Sequence, residues 1–327
     1  MANDIVLFAL KTSEEYGARV ARSLGIALAR HEERNFEDGE HKIRPLVDVR
    51  ARDVFVVQSL HADHLASVND KLAKLLFFVG ACKDAAAASV TAVVPYLCYS
   101  RKDRKTKLRD PVTTRYVAQL FEAVGTDAVM TLDVHNLAAF QNSFRCRSDH
   151  LEALSLFVAH FSSTLRGEAV AVVSPDIGGA KRADRFRQAL ERAMDVKVAS
   201  AFVEKHRSGG KVTGSAFGGD VAGRVCIILD DLIASGGTIL RAAEACRRLG
   251  ASRVIACATH GNFVDQANEV LASDALERFV ITDTIPPSRI RPDLADRKLM
   301  ILDSASLFGQ AIDGIRNGRP IEEMFEV

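Results

Sequence analysis

Sixteen residues, Val225 to Leu240 (VCIILDDLIASGGTIL), hold two adjacent carboxylates followed by Ser-Gly-Gly-Thr. Adjacent carboxylates repel a phosphate but accept hydrogen bonds from neighbouring hydroxyls of a sugar, which is the chemistry open to Asp230 and Asp231. Ser235, Gly236, Gly237 and Thr238 offer hydroxyls and close-approach backbone N–H groups. They do so where a following helix would present its unpaired donors and the positive end of its dipole, a seat for phosphate. The flanks name the elements that must position these groups. Val225 to Leu229 is short, continuous and rich in β-branched residues, as in a strand buried on both faces of a parallel sheet. Ile239, Ala242, Ala243, Cys246 and Leu249 fall at helical spacing before Gly250. Ligands of open α/β sheets bind at the carboxyl ends of the strands, where both acids sit.

Four other stretches have the same position relative to a predicted strand or turn. Ala169 to Val173 reads as a strand entering Ser174-Pro175-Asp176-Ile177-Gly178-Gly179, where a carboxylate suited to a metal precedes Gly-Gly N–H groups at a helix start. Two such loops in one domain imply a ligand with two separate phosphate groups, or two substrates. Tyr99 to Arg109 packs six basic residues into eleven positions after the strand Ser89 to Pro95, and its place at the ligand edge selects an anion over a merely solvated loop. Asp133-Val134-His135-Asn136 follows the strand Asp127 to Leu132, and its imidazole suits a metal, a phosphate or a buried structural role. Asn35-Phe36-Glu37-Asp38-Gly39-Glu40 is a loop by composition, open to a plain hairpin turn with an acidic edge. A fifth segment, Glu204 to Lys211, is basic and glycine-rich; it reads either as a mobile cover over a site or as a surface hairpin.

Length and composition bound the rest. The 327 residues, 48% hydrophobic and 26% charged, predict two ordinary globular domains. A net charge of +1 argues against a nucleic-acid partner, so anion binding must be local. Six cysteines without a C-x-x-C pair read as reduced core thiols. An acid before the first apolar run and no membrane-length run predict neither secretion nor a membrane partner, hence a cytoplasmic protein.

Further elements read as strands at Ile5 to Leu10, Val54 to Gln58, Ala199 to Val203 and near Phe279 to Thr282. Helices read from about Ser13, over Ala66 to Ala88, from Pro111 to Gly125, over Leu151 to Leu165 and near Ala305 to Ile315. The pattern restarts near Asp149, giving domains 1–150 and 151–327, with the last helix packing back on the first. A faint self-similarity between 87–96 and ASRVIACATHG after Gly250 suggests a duplicated fold.

Val225 to Leu240 resembles the ribose-phosphate loop of the phosphoribosyltransferase superfamily. With five motifs matching in order, and similarity running from the FEDGE loop to Met324-Phe325-Glu326, the chain resembles the ribose-phosphate pyrophosphokinases, or phosphoribosyl pyrophosphate synthetases. That resemblance implies an α/β fold of two tandem phosphoribosyltransferase-like domains, each a mostly parallel sheet flanked by helices. It implies attack of the anomeric hydroxyl of ribose 5-phosphate on the β-phosphorus of ATP, with AMP released and Mg²⁺ as cofactor. Phe36, Asp38, Gly39 and Glu40 would contact ATP, usually across a subunit interface, with Arg101, Lys102, Asp103 and His135. His135 and Asp176 would hold the metal, and Asp176, Gly178 and Gly179 would form the diphosphate loop. Asp230, Asp231, Ala234, Ser235, Gly236, Gly237 and Thr238 would bind ribose 5-phosphate, and Lys205 and Arg207 would be catalytic on a flexible loop. A homo-oligomer follows from the same resemblance, at least a dimer and commonly dimers assembled into a hexamer. The chain departs from the usual pattern at Lys102 (often Gln), at His206 and Ser208, at Ala234 (often Asp) and in NLAAFQNSF after His135. A catalytically silent regulatory subunit and a phosphoribosyltransferase are the competing expectations.

Overall fold

The computed structural model describes residues 4–208, 211–264 and 266–321, with the backbone alone over 204–208 and 211–216. Met324-Phe325-Glu326 lie outside the described residues. The chain divides into two compact units, one built from Met1–Glu152 with Asp303–Glu326, the other from Ala153–Leu302.

The first unit runs β1 (Ile5–Ala9), α1 (Glu14–Leu24), β2 (His31–Asn35), β3 (His41–Pro45), β4 (Asp53–Val57), α2 (Val68–Asp84), β5 (Ser89–Val94), α3 (Thr113–Ala123), β6 (Ala128–Leu132), α4 (Leu137–Ser143) and β7 (Arg147–Leu151). Five of these strands form an all-parallel sheet in the order β1-β4-β5-β6-β7, while β2 and β3 pair with each other as an antiparallel ribbon. Alternation of side chains along a strand gives the sheet two faces. Val6, Phe8, Val54, Val56, Val90, Ala92 and Val129 pack with Leu75, Phe78 and Val79 of α2 and Val117 and Phe121 of α3 into one core. Leu7, Phe55, Val93 and Met130 are buried on the alternate face.

The second unit runs α5 (Leu154–Thr164), β8 (Val170–Ser174), α6 (Ala180–Met194), β9 (Ala199–Ser208), β10 (Lys211–Gly219), β11 (Val225–Ile233), α7 (Gly237–Arg248), β12 (Arg253–Gly261), α8 (Ala267–Ala272), β13 (Arg278–Thr282), α9 (Pro292–Lys298) and β14 (Leu299–Leu302). Its seven strands lie in the order β10-β9-β8-β11-β12-β13-β14, parallel except for β10 at the edge. The chain leaves β8 for β9 on one side and returns with β11 on the other. That reversal opens a crevice between the carboxyl ends of β8 and β11, the position at which doubly wound sheets take their ligands. Among the described residues no helix is long and apolar enough to cross a membrane.

The last helix, α10 (Ala305–Arg316), belongs to the first unit and packs on α1. Tyr16 and Ser304 share a hydrogen bond of 2.8 Å, and the rings of Tyr16 and Phe308 meet edge to face at 6.0 Å. Gly309 permits the approach, because a Cβ there would stand 2.5 Å from Ser23 Oγ.

Several boundaries differ from the sequence pattern for local reasons. α2 starts at Val68 because Ser67 and Asp70 form a reciprocal capping box there, with Ser67 Oγ accepting from the Asp70 N–H. α3 starts at Thr113, so Pro111 precedes the helix instead of occupying its first turn. Arg147–Leu151 is a strand, and the helix expected from Leu151 begins at Leu154. β9 continues to Ser208 because it finds a partner in β10, so the backbone of Lys205 and Arg207 lies in an antiparallel ribbon opposite Ser215 and Val212. This backbone pairing is that of the hairpin, one of the two readings open to Glu204 to Lys211. Leu249 lies past the end of α7 and is exposed.

Two helical glycines separate packing from propensity. A Cβ on Gly17 would stand 2.1 Å from the Cβ of Ala9, whereas one on Gly80 would meet nothing within 4 Å. Gly80→Ala is expected to raise unfolding free energy by about 0.5–1 kcal/mol. Gly17→Ala is expected to lower it by about 1–3 kcal/mol through overpacking of α1 on β1. Urea denaturation of both variants checks the opposite signs.

Candidate active site in two loop constellations

In the second unit the two acidic-glycine loops come together at the reversal of strand order. β11 pairs with β8 only from Val225 to Ile228 but follows β12 to Ile233. Asp230 and Asp231 therefore lie on the projecting end of a strand, three and two residues before its last, on the side where β8 has already stopped. From β8 the chain turns through Ser174 and Asp176, which fold back on themselves. The Ser174 hydroxyl donates to the Asp176 carbonyl at 2.6 Å, and Asp176 Oδ1 accepts from the Gly179 N–H at 3.1 Å. Gly178 and Gly179 hug this carboxylate, since a Cβ on Gly178 would approach Asp176 Oδ1 to 3.3 Å and one on Gly179 would meet Ser174 Oγ at 3.0 Å. Ile177 stands exposed at the rim.

Arg182, in the first turn of α6, joins the two loops. Its guanidinium donates to Asp231 Oδ1 at 2.9 Å and stands 3.7 Å from Asp230 Oδ1. The sequence places this residue three positions after Gly179, at a helix start, but gives no sign of the acids it meets. Burial and the neighbouring charge of Asp231 push the Asp230 carboxyl up to about 7, against the pull of Arg182.

Beyond the acids, Gly236 takes the left-handed conformation (φ +79) and caps α7, and a Cβ there would meet Val270 at 2.9 Å. Glycine is required on both counts, because an L side chain would be strained and would also collide. The turn leaves Ala234, Ser235, Gly237 and Thr238 half-buried around the helix start, with first-turn N–H groups that have no acceptor within the helix. The geometry can take a sugar on the carboxylates and its phosphate on the helix end.

The first unit assembles a different edge. Phe36 to Glu40 is the exposed tip of the β2–β3 ribbon, so the hairpin expectation holds for its backbone. The Phe36 N–H donates to the Glu40 carbonyl at 2.8 Å, the Glu40 N–H donates to Asp38 Oδ1 at 3.0 Å, and Gly39 takes a positive φ of +90. The Arg34 guanidinium lies over the Phe36 ring at 5.2 Å, leaving Phe36 40% exposed and free to stack on a flat group from its other side.

Loops after successive strands are linked in series along the carboxyl edge of this sheet. Gln58 donates to Thr12 Oγ1 at 2.8 Å, the Leu60 N–H donates to the Tyr96 carbonyl at 2.9 Å, and Asn136 Nδ2 donates to Asp103 Oδ2 at 2.6 Å. The last of these brings the basic loop against the loop carrying His135. His135 is exposed, which excludes the buried structural role. Within the basic loop, Asp110 Oδ2 accepts from Lys102 Nζ at 2.5 Å and from the Thr106 hydroxyl at 2.7 Å, and these bonds hold its carboxyl far below the ordinary range. Lys102 thus shapes the loop and neutralises an internal acid, while Arg101 is exposed. The sequence assigns no role to Asp110 or Asn136, because both act in folding the loop and a folding contact has no motif.

Among the described residues no group of three or more His, Cys, Asp or Glu side chains converges as a metal cage. Mg²⁺ is usually held by one or two carboxylates together with substrate phosphates and water. The half-buried Asp176 carboxylate fits that mode, whereas an imidazole is a poorer direct partner for so hard a cation.

The raised Asp230 has a testable consequence. Its affinity for a proton is higher folded than unfolded, so its contribution to stability is full below the ordinary value of 3.8 and is lost as pH rises through about 7. Asp230→Asn is expected to gain stability over the wild type at pH 8 and to differ little at pH 5, read by denaturant unfolding at each pH. An equal difference at both pH values contradicts the assignment.

Comparison with known proteins shows the family. Residues 5–125 match the N-terminal domain of ribose phosphate pyrophosphokinase, and residues 211–326 match the phosphoribosyl synthetase-associated domain. A ribose-phosphate pyrophosphokinase of Fusobacterium nucleatum is 37% identical over 326 residues, covering 99% of this chain and 98% of its own. Ribose-phosphate pyrophosphokinase 1 of Streptococcus agalactiae is 36% identical over 331 residues, with the same two coverages of 99% and 98%. The crystal structure of phosphoribosylpyrophosphate synthetase from Mycobacterium smegmatis superposes with a TM-score of 0.86 at 32% identity, over 96% of this chain and 99% of that one. Kinship that runs from end to end, through both loop constellations, makes this chain a member of the ribose-phosphate pyrophosphokinase family.

Proposed function

We propose that the protein is a ribose-phosphate diphosphokinase, which moves the β,γ-diphosphoryl group of ATP to the 1-hydroxyl of ribose 5-phosphate and yields 5-phosphoribosyl 1-diphosphate and AMP. The observation that carries this is full-length similarity to named pyrophosphokinases, 37% over 99% of the chain. The crevice at the β8–β11 reversal is chemically suited to the acceptor. Asp230 and Asp231 accept the sugar hydroxyls, and Ala234, Ser235, Gly236, Gly237 and Thr238 take the 5-phosphate at the start of α7. Asp176, Gly178 and Gly179 face the diphosphate as it transfers.

The donor falls to the first unit. The Phe36 ring offers a stacking face to adenine, Asp38, Gly39 and Glu40 offer acceptors and backbone to the ribose, and Arg101, Asp103 and His135 line the triphosphate side. Lys102 acts there through the shape of the loop, since its ammonium is already engaged by Asp110. Oxygen O1 of ribose 5-phosphate attacks Pβ, the bond from Pβ to the oxygen of the α-phosphate breaks, and AMP leaves. Such a transfer depends on in-line positioning and charge neutralisation. Lys205 and Arg207, on β9, supply positive charge to the transferred group. Mg²⁺ held by Asp176 and the substrate phosphates, with His135 on the nucleotide side, would neutralise the triphosphate.

A homo-oligomer, at least a dimer and in the family's manner a hexamer, completes the nucleotide site by lending the 36–40 loop across a subunit boundary. The protein works in the cytoplasm on small phosphorylated substrates, in keeping with six free cysteines. The deciding experiment measures AMP release from ATP and Mg²⁺, with inorganic phosphate present, with and without ribose 5-phosphate. Release that depends on ribose 5-phosphate is expected, and it should fall by about 100-fold or more in Lys205→Ala and Arg207→Ala, the scale of losing a group that stabilises transition-state charge. Folded, assembled protein that releases no AMP would instead be a regulatory subunit without catalysis.

A further inference from the structure

The β2–β3 ribbon is only five residues long on each side, and a two-stranded ribbon of that size has little stability of its own. Its tip nonetheless has to present Phe36 in one place. The ribbon lies on α2, and two α2 side chains reach the two residues that close the tip. Asn35 and His41 are register partners at the mouth of the 36–40 loop. Lys74 Nζ donates to Asn35 Oδ1 at 3.0 Å and stands 3.8 Å from Glu33 Oε2 on the same strand. Phe77 stacks on the His41 ring, with centroids 5.3 Å apart and planes 22° from parallel. Lys74 and Phe77 are three residues apart on one helix, so a single ridge reaches both strands of the ribbon.

Further facts make this a clamp and not incidental packing. His41 Nε2 is buried with no hydrogen-bond partner among the described residues, so the stack on Phe77 orients the ring without help from a hydrogen bond at that atom. Phe77 is 58% exposed, an unusual place for a phenylalanine that packs in no core, and its contact with His41 accounts for it. Lower on the ribbon, Glu33 accepts from the Lys11 N–H at 2.5 Å and from His31 at 2.9 Å, which ties the base to the loop after β1. The base is held by the loop after β1 and the tip by α2.

We propose that Lys74 and Phe77 are positioning residues for nucleotide binding, acting on the 36–40 loop through its closing pair Asn35 and His41. The inference rests on the role proposed above for that loop in binding ATP. Neither side chain belongs to the loop, and their effect should therefore appear in affinity for the nucleotide and not in the chemical step.

Steady-state kinetics of the full-length, assembled enzyme test this with Lys74→Met, Phe77→Ala, the conservative Lys74→Arg and Phe77→Tyr, and Phe36→Ala as reference. KM for ATP should rise about two- to ten-fold in Lys74→Met and in Phe77→Ala, the size of one stacked or charge-assisted contact. KM for ribose 5-phosphate and kcat should stay within about twofold, and Lys74→Arg and Phe77→Tyr should restore the wild-type KM for ATP. A rise in KM for ATP in Phe36→Ala with none in Lys74→Met or Phe77→Ala overturns the clamp and leaves the loop assignment standing. No rise even in Phe36→Ala overturns both. Equal losses toward both substrates would mean general loosening of the unit, which also overturns it.

Discussion

Two carboxylates side by side on the projecting end of β11 are the constraint on which the second unit turns. Placed together in a half-buried crevice they repel each other, and the structure sets the Arg182 guanidinium against both. That answer is available only because β8 lies next to β11, since Arg182 enters from the helix that follows β8. Reversal of strand order at β8 is therefore more than topology. It creates the crevice, and it brings in the cation that lets Asp230 and Asp231 coexist there.

The same economy appears in the backbone around these acids. Asp176 uses one carboxylate oxygen to cap the turn into α6, and Gly178 and Gly179 leave no side chain between that carboxylate and the crevice. Gly236 does the corresponding work at α7, where both its φ and the nearness of Val270 exclude any other residue. Helix starts and carboxylates thereby converge from two strands on a space that polyanionic ligands need, and they do so with almost no long side chains. Charge that must reach further comes from β9 and its ribbon partner.

The first unit solves a different problem, holding several polar loops in register along one sheet edge. Hydrogen bonds run from the loop after β1 to that after β4, then to the loops after β5 and β6. A fully buried Lys71 paired with Asp63 at 2.6 Å pins the loop after β4 to α2. Removing either partner would strand a buried charge, so this pair specifies the loop more than it stabilises the unit. Within the basic loop, Asp110 gathers Lys102, Thr106 and the Lys107 N–H into one fold. A run of six cations is thus partly a structural device, and its net electrostatic reach is smaller than its composition suggests.

Much of this protein was legible in its residues alone. Buried parallel strands announce themselves as short apolar runs, and ligand loops as Asp, Gly, Ser and Thr just beyond them, because backbone conformation, helix ends and hydrogen-bonding capacity are local properties. The Val225 to Leu240 and Ser174 to Gly179 loops, the basic loop and the family kinship all rest on such local chemistry. Contacts between distant segments were decided only by the tertiary structure. The sequence does not say that Arg182 faces Asp231, that Asn136 holds Asp103, that Lys102 is engaged by Asp110, or that Tyr16 bonds Ser304 across 288 residues of chain. Composition left Glu204 to Lys211 open between a mobile cover and a surface hairpin, and the antiparallel pairing of β9 with β10 gives Lys205 and Arg207 the hairpin's backbone. Local chemistry determined which groups are present and what each can bind; strand order and packing decided which of them meet, because pairing energy depends on a partner that no single segment contains.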